Sequence, residues 1–225
     1  MEKISVLLST YNNENTIENA VESILNQVGV DLELLICDDY STDSTSEKIE
    51  NLKTKDKRIK IVKNIKNLGL TKSLNKLIEI SKGTIIARQD ADDISLPNRL
   101  QTQLNSLIKN NLDACTTKAI KIQGGEITPK IFYYVPYKIS IKIKNPFIHG
   151  TLMIKKEVLN KLGNYNEKYI YAQDYKLMTD LINANYRIKI INKALYRLNT
   201  INNISSIKKN EQEYFSNCIR KRIEP

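Results

Sequence analysis

Long apolar runs, paired cysteines and histidines are what this chain has least of. Across 225 residues no apolar stretch approaches the roughly 20 needed to span a bilayer, and "TIIA" and "LELLI" are of strand length only. The amino terminus, "MEKISVLLSTYNN", lacks the extended apolar stretch and small-residue cleavage site of a signal peptide, so it is expected to be mature. The three cysteines, Cys37, Cys115 and Cys218, are odd in number and show no CxxC spacing. Neither a disulfide framework nor a zinc site is supported, and a reducing cytosol fits. No Ser–His–Asp or Cys–His arrangement is evident, and "NLGL" is not a phosphate-binding P-loop. Internal repeats, low-complexity tracts and clean linkers are also missing. Negative charge is the minority sign: 35 Lys and Arg against 25 Asp and Glu give formal net charge +10 and a pI near 9.3. That balance admits nucleic acid, an anionic membrane or phosphorylated substrates. The clusters "KTKDKRIKIVKNIK" and "CIRKRIEP" read first as solvated faces, and no nucleic-acid motif or stacking pattern accompanies them.

What is present is alternation. "ISVLLS" is a near-continuous apolar strand; after "TYNNEN", Ile17, Ala20, Val21, Ile24 and Leu25 recur on one helical face. "DLELLICDD" is the next strand, and "STSE" from Ser44 to Glu47 reads as a capping box opening a helix to about Leu52. "RIKIVKN" is a third strand, and Leu70 to Ile80 a helix ended by Gly83. "TIIARQD" is a fourth strand, followed by the helix "SLPNRLQTQLNSLI" with Ser95 or Asp93 as cap and Pro97 in its first turn. Such alternation predicts an α/β fold with a parallel sheet and helices on both faces. Ligands then collect beyond the carboxyl ends of the strands, where "STYNNE", "CDDYSTD" and "ARQDADD" should converge. The second half is less regular. It offers a strand and turn at "DACTTKAIKIQGG", a strand at "FIHGTLMI", a short helix "KKEVLNKLG", a helix entered near Asp174, and a closing strand "RIKIINKALYRL". One domain is expected, its second half completing the site.

The densest chemistry is "ARQDADD", three carboxylates in four positions directly after a buried strand. Asp90 and Asp92 are two apart, so in extended chain they point to the same side. Carboxylates this close raise one another's pKa unless a cation lies between them. Mg²⁺ and Mn²⁺ accept one or two protein carboxylates and complete their shell with water and phosphate oxygens. The spacing therefore suits a metal–diphosphate site. For an isolated DxD, a capping and solubility turn is the commoner reading; the preceding strand and Arg88 favour a site here.

Five blocks in order, "ISVLLSTYNNENTIENAVESILNQ", "LELLICDDYSTDST", "NLGLTKSLNKLIEISKGTIIARQDADDISLPNRLQTQ", "HGTLMIKKEVLNKLGNY" and "AQDYKLMTDL", resemble glycosyltransferase family 2 from about Ile4 to Leu198. Each block is weak alone; the ordered set is specific. The resemblance implies a GT-A fold, a Rossmann-like, mostly parallel central sheet flanked by helices. It also implies an inverting enzyme that moves a sugar from a nucleotide-diphosphate donor, expected to be a UDP-sugar, to an acceptor hydroxyl. It divides the chain into a nucleotide-sugar-binding half (1–110), an acceptor-side half carrying the base (111–200) and a basic tail (201–225). Thr10, Tyr11 and Glu14 match the loop that holds base and ribose. Asp39 matches the acid that reads the base, and Arg88 a donor contact. Asp90 and Asp92 match the metal motif, with Asp92 the direct ligand to Mn²⁺ or Mg²⁺ and Asp90 nearer the ribose. Asp174 matches the catalytic base, its alternative being a helix N-cap. His149, Asp93 and Gln173 are candidate donor or acceptor contacts.

This sequence departs from the family pattern at three places. Gln173 stands where a Glu usually precedes the base, Tyr40 replaces the glycine of "DDGS", and Asn199 replaces the histidine of "YRxH". Abundant Ile, Asn and Lys suit an AT-rich bacterial genome, where such enzymes build surface polysaccharide or glycolipid on lipid carriers. The implied partners are the sugar nucleotide and a saccharide or lipid-linked acceptor. The implied location is cytoplasmic, at the inner membrane face if the tail with Ile207, Tyr214, Phe215, Cys218 and Ile219 rests on anionic lipid; packing against the domain is the equal alternative for that tail. A non-catalytic nucleotide-sugar-binding or scaffold protein of the same fold is the alternative to an enzyme.

Overall fold

A computed structural model describes residues 2–201 and 208–225. Among the described residues nine strands form one sheet, and the helices lie on its two faces. The elements run β1 (Lys3–Thr10), α1 (Ile17–Leu25), β2 (Asp31–Asp38), α2 (Thr45–Lys55), β3 (Ile59–Lys63), α3 (Leu70–Ile80) and β4 (Ile85–Asp90). Then come β5 (Ile94–Ser95), α4 (Arg99–Lys109), β6 (Ala114–Lys121), β7 (Ile127–Thr128) and α5 (Tyr137–Ser140). The chain closes with β8 (Met153–Lys155), α6 (Lys156–Lys161), α7 (Gln173–Asn183), β9 (Ile188–Leu198) and a last helix, α8 (Lys209–Lys221).

Strand order is β3-β2-β1-β4-β8-β6-β9-β5, with β7 beside β6. The first four strands are parallel, as alternation predicts. β8 then enters antiparallel between β4 and β6, so the sheet is mixed. β1 shows how the sequence builds the two layers. Its side chains alternate faces: Ile4, Val6 and Leu8 pack under α1, α2 and α4, whereas Leu7 packs with Leu74, Leu77 and Ile78 of α3 and with α6 and α7 on the other side. All of these are buried, which is why β1 reads as an unbroken apolar run.

Several local expectations give way to tertiary bonds. Ser44 makes no side-chain cap, and α2 runs three residues past Leu52, to Lys55. Gly83 does not cap α3, which ends at Ile80 with Ser81 as its C-cap; a Cβ on Gly83 would lie 2.6 Å from both Lys3 O and Ser5 N, so the residue is there for close packing. Neither Ser95 nor Asp93 caps α4. That helix starts at Arg99 behind a left-handed Asn98, leaving Pro97 outside its first turn, and Ser95 instead forms β5 and donates to Gln89 Oε1 at 2.6 Å. The strand expected at "FIHGTLMI" begins only at Met153, because His149–Thr151 forms a 3-10 turn.

The tail expectation divides. Ile207 lies outside the described residues. In α8, Cys218 and Ile219 are buried, and Phe215 stacks edge-on with Tyr169 and Tyr171. The apolar side of α8 is therefore occupied by the domain, leaving Tyr214 exposed.

Candidate active site

The strand ends β1, β2 and β4 lie side by side, with Thr10 opposite Asp38 and Ser9 opposite Asp90. β1 has β2 on one side and β4 on the other, and the chain order reverses there. This is the switch point at which open α/β sheets form a crevice. The three polar clusters predicted to converge do so.

The β1 and β2 loops are stitched together. Asp39 N donates to Thr10 O at 2.9 Å, Asn12 N to Ser41 Oγ at 3.1 Å, and Thr42 N to Asn12 Oδ1 at 2.8 Å. Thr10 is buried and its hydroxyl donates to Asn13 Oδ1 at 3.0 Å, so it shapes the loop. Glu14 accepts from Ser44 N at 3.1 Å, at the start of α2. Tyr11 stays about half exposed, at 47%. Asp39 is buried; Oδ1 accepts from Asn64 Nδ2 at 2.7 Å and Leu68 N at 2.8 Å, and Oδ2 from Gly69 N at 2.8 Å. A carboxylate offers about four acceptor positions, and these three bonds fill both on Oδ1 and one on Oδ2. Tyr40 adopts φ +73°, the left-handed turn a glycine would take without strain. Tyr40 thus holds a left-handed conformation where the family pattern has glycine.

At the end of β4 the acidic run is organised from below. Arg88 is fully buried; Nη1 donates to Leu7 O and Gln89 O, each at 2.9 Å, and Nη2 to Asp90 Oδ1. It therefore positions Asp90 from beneath and does not open into the crevice. Arg99, also fully buried, donates to Arg88 O at 3.1 Å and Gly150 O at 3.0 Å. Gln89 ties the turn by donating to Asp90 O and Asp93 O at 3.0 and 2.9 Å. Asp90 N donates to Tyr196 Oη at 3.1 Å. A Cβ on Gly150 would lie 2.6 Å from Asp90 Oδ2 and press on Tyr196 Oη, so only glycine fits beside that carboxylate.

The three aspartates then differ. Asp93 is buried, and its Oδ1 accepts from Asn199 N at 2.6 Å; burial, with Asp90 and Asp92 adding to it, raises its pKa to about 8. It serves the fold of the turn. Asp92 is only partly exposed and accepts from Asn199 Nδ2 at 3.3 Å. Burial first, then the charge of Asp90, raises its pKa to about 6. Asp90 is thus paired with Arg88 from beneath, while Asp92 beside it has no cationic partner among the described residues and carries the raised pKa where strand ends converge. Among the described residues no cluster of three His, Cys, Asp or Glu side chains forms a complete metal cage. Asp92, whose pKa Asp90 helps to raise, does fit, with that neighbour, a hard divalent cation whose remaining ligands are diphosphate and water.

Across from them stands the start of α7. Gln173 is its first residue and is buried; Asp174 is the second and Ala172 the N-cap, so Asp174 is not the cap. Asp174 Oδ2 accepts from Asn145 Nδ2 at 2.8 Å, and Asn145 is fixed by Phe147 N donating to its Oδ1 at 3.1 Å. Burial pushes the Asp174 carboxyl up, while the Tyr175 N–H and the Asn145 amide pull it down. His149 Nε2 hydrogen bonds Tyr165 Oη at 2.7 Å. Burial and the nearby Arg88 hold the imidazole well below its usual pKa, hence neutral. Sequence reading missed Asn145, Gly150, Tyr165 and Tyr196, which reach this site over long separations and carry no local spacing signal; Gly150 beside the lone histidine was the nearest to one.

The fold and its acidic switch point define a nucleotide-binding α/β protein of the GT-A type. Residues 5–163 match the glycosyl transferase family 2 profile, and the chain belongs to that family. It is 36% identical over 218 residues to an uncharacterized glycosyltransferase of Methanocaldococcus jannaschii, covering 92% of this chain and 74% of that protein. It is 31% identical over 185 residues to the Escherichia coli UDP-Glc:alpha-D-GlcNAc-diphosphoundecaprenol beta-1,3-glucosyltransferase WfgD, covering 81% of this chain and 70% of that one. The mannosyltransferase PcManGT of Pyrobaculum calidifontis, solved with GDP-Man and Mn²⁺, superposes with a TM-score of 0.78 at 21% identity over 99% of this chain and 65% of that one. That likeness concerns the fold.

Proposed function

We propose that this chain is an inverting, divalent-cation-dependent glycosyltransferase. It takes a sugar from a nucleotide diphosphate, with a UDP-sugar as the expected donor, and passes it to a hydroxyl of a saccharide or lipid-linked acceptor in surface-polysaccharide or glycolipid synthesis. The observation that carries this is the carboxylate pair at the strand switch point, Asp90 aimed by Arg88 and Asp92 part-buried beside it with a raised pKa, faced by a carboxylate on α7 that Asn145 orients. The relatives support the donor and acceptor classes: one is named for UDP-Glc and a diphosphoundecaprenol acceptor, and a structural neighbour was solved with GDP-Man.

The roles follow from chemistry. Thr10, Tyr11, Glu14 and Asp39 shape the nucleotide end, and Oδ2 of Asp39 accepts a base N–H. Asp92, with Asp90 held by Arg88 beside it, binds Mn²⁺ or Mg²⁺, which when present neutralises charge on the departing diphosphate. Asp174 takes the proton of the acceptor hydroxyl as the glycosidic bond forms. A part-buried carboxylate with a raised pKa is a stronger base than one in water. Neutral His149, held by the buried Tyr165 hydroxyl, offers a hydrogen bond to the sugar or acceptor without adding charge.

A panel of nucleotide sugars with and without Mn²⁺, scored by nucleoside diphosphate release, tests this. Asp174→Asn should lower transfer by about 10²–10⁴-fold with donor affinity little changed, whereas Asp92→Asn should weaken both metal-dependent binding and rate. Donor binding without turnover in the wild type, across saccharide and lipid-linked acceptors, would return the chain to the scaffold alternative.

A further inference from the structure

Between Glu126 and Glu157 the sequence holds no aspartate or glutamate, yet it holds lysines at 130, 138, 142, 144, 155 and 156. The chain as a whole averages one acidic residue in nine, so thirty consecutive positions without one is a marked bias. The structure shows where the charge goes. After the 3-10 turn Ile131–Tyr133, helix α5 continues as turns to Lys144, with Ile143 N and Lys144 N both donating to Ser140 O. Ser140 and Ile141 face inward and are buried, and Tyr137 packs on Phe147 with ring centroids 5.0 Å apart. Lys138, Ile139, Lys142 and Ile143, spaced i, i+1, i+4 and i+5, share the outer face.

That face is apolar as well as basic. Ile139 and Ile143 are 54% and 58% exposed, and Ile131 and Tyr134 nearby are each 78% exposed. A single exposed isoleucine is ordinary; four large apolar side chains in thirteen residues, interleaved with exposed lysines, are not. Lys130 pairs with Glu126, and Lys138 meets only the neutral Asn185. Among the described residues Lys138, Lys142 and Lys144 have no carboxylate partner within 4.0 Å. The segment is nevertheless firmly attached. Tyr175 of α7 donates to Ile141 O, Ile190 N of β9 donates to Tyr137 Oη at 2.9 Å, and Arg220 of α8 donates to Ile143 O at 3.0 Å. Arg220, Lys221 and Arg222, all exposed, extend the positive field from α8. Asn145, next in the chain after Lys144, holds Asp174.

We infer that the outer face of residues 130–144 is a docking surface for an anionic lipid bilayer, with lysines meeting headgroups while Ile131, Tyr134, Ile139 and Ile143 enter the headgroup boundary. Complementary charge and shallow apolar insertion are together what interfacial binding requires. The contact moves from the apolar side of α8, which the domain occupies, to a face attached to the first turn of α7. The surface stands on exposure and charge alone; its consequence, that a lipid-borne acceptor meets Asp174 from the bilayer side, rests on the glycosyltransferase reading.

Co-sedimentation of the full chain with phosphatidylglycerol–phosphatidylcholine vesicles, against pure phosphatidylcholine, tests it. The wild type should bind the anionic vesicles and be released by salt. The double variant Lys138→Glu with Lys142→Glu, and separately Ile139→Ser with Ile143→Ser, should each reduce binding by roughly tenfold or more, with an unchanged melting midpoint showing that the fold is intact. Nucleoside diphosphate release toward a soluble acceptor should be the same in both variants, so an inactive protein and a non-binding protein are separate results. Vesicle binding that survives both variants, or that only Lys209→Glu with Lys221→Glu removes, would overturn the assignment. So would binding to heparin with none to vesicles.

Discussion

Replacing Asn145 with alanine should move the acid limb of turnover toward higher pH while leaving the donor site alone. Asp174 must be ionised to accept a proton, and burial opposes that ionisation. The Tyr175 N–H, the Asn145 amide and the N–H of Asp174 itself favour the charged form, and the Asn145 bond, at 2.8 Å, is the one from another side chain. A hydrogen bond to a charged group is worth about 1.5–3 kcal/mol when nothing replaces it. Asp174 keeps some exposure, so water recovers part of this and about 1.4 kcal/mol is a fair expectation. That is about tenfold in the ratio of ionised to protonated carboxyl. Donating to the carboxylate holds its pKa down; removing the donor lets it rise, so at any pH on the acid limb less of the enzyme carries the base. The assay is kcat/KM for transfer from about pH 5 to 9 at saturating Mn²⁺, beside UDP affinity by calorimetry. Asn145→Ala should fall about tenfold on the acid limb, converge with the wild type at high pH, and bind UDP normally. A loss equal at every pH would make Asn145 a packing residue only, and an unmoved limb would remove Asp174 from the titrating step.

The other expectations use the same geometry. Asp92 and Asp93 have folded pKa values raised to about 6 and about 8, so stability they allow in acid is lost as pH rises through those values, and a cation should restore it. The Mn²⁺-induced rise in melting midpoint should therefore be larger at pH 8 than at pH 5.5, and equal shifts would place the metal elsewhere. Gly150→Ala, which sets a Cβ 2.6 Å from Asp90 Oδ2, should cost about 1–3 kcal/mol and weaken Mn²⁺-dependent UDP binding; unchanged affinity would show that Asp90 need not be held there. At the left-handed Tyr40, Tyr40→Gly should be more stable than Tyr40→Ala by about 1 kcal/mol in urea unfolding, and equal stability would mean that the turn relaxes.

The first half of the fold was legible because its strands are buried on both faces and its helices are amphipathic. β1, β2 and β4 read as apolar runs with no competing pattern, and each ends in the polar cluster that the sheet brings to the crevice. What failed were local caps. Ser44, Ser95 and Asp93 all have the chemistry of an N-cap, but Ser95 and Asp93 are engaged by partners distant in sequence or by a sharp turn, and Ser44 offers its backbone N–H to Glu14. A cap is worth about 1 kcal/mol, so one good buried tertiary bond outweighs it. His149 follows the same rule: the strand pattern around it yields to a 3-10 turn because Gly150 has to approach Asp90 and Tyr196.

The same contrast separates the part of the site that sequence could supply from the part it could not. Carboxylates announce themselves, since Asp90 and Asp92 at a strand end have few structural uses. The groups that set their properties do not. Arg88 looked like a donor contact, yet complete burial turns it into the support that aims Asp90. Asn199 reaches Asp92 and Asp93 across 107 and 106 residues, and Asn145 reaches Asp174 across 29. Such partners arise from the mixed half of the sheet. β8 lies antiparallel between β4 and β6, bringing Gly150 against β4, while β9 runs back toward the acidic turn and carries Tyr196 to its edge. The parallel half therefore supplies the strand-end aspartates with Arg88 beneath them, and the second half supplies Asp174 and the partners Asn145, Asn199 and Tyr196. This fold can thus retune acceptor and base through residues such as Asn145 and Asn199 while the strand-end aspartates stay as they are.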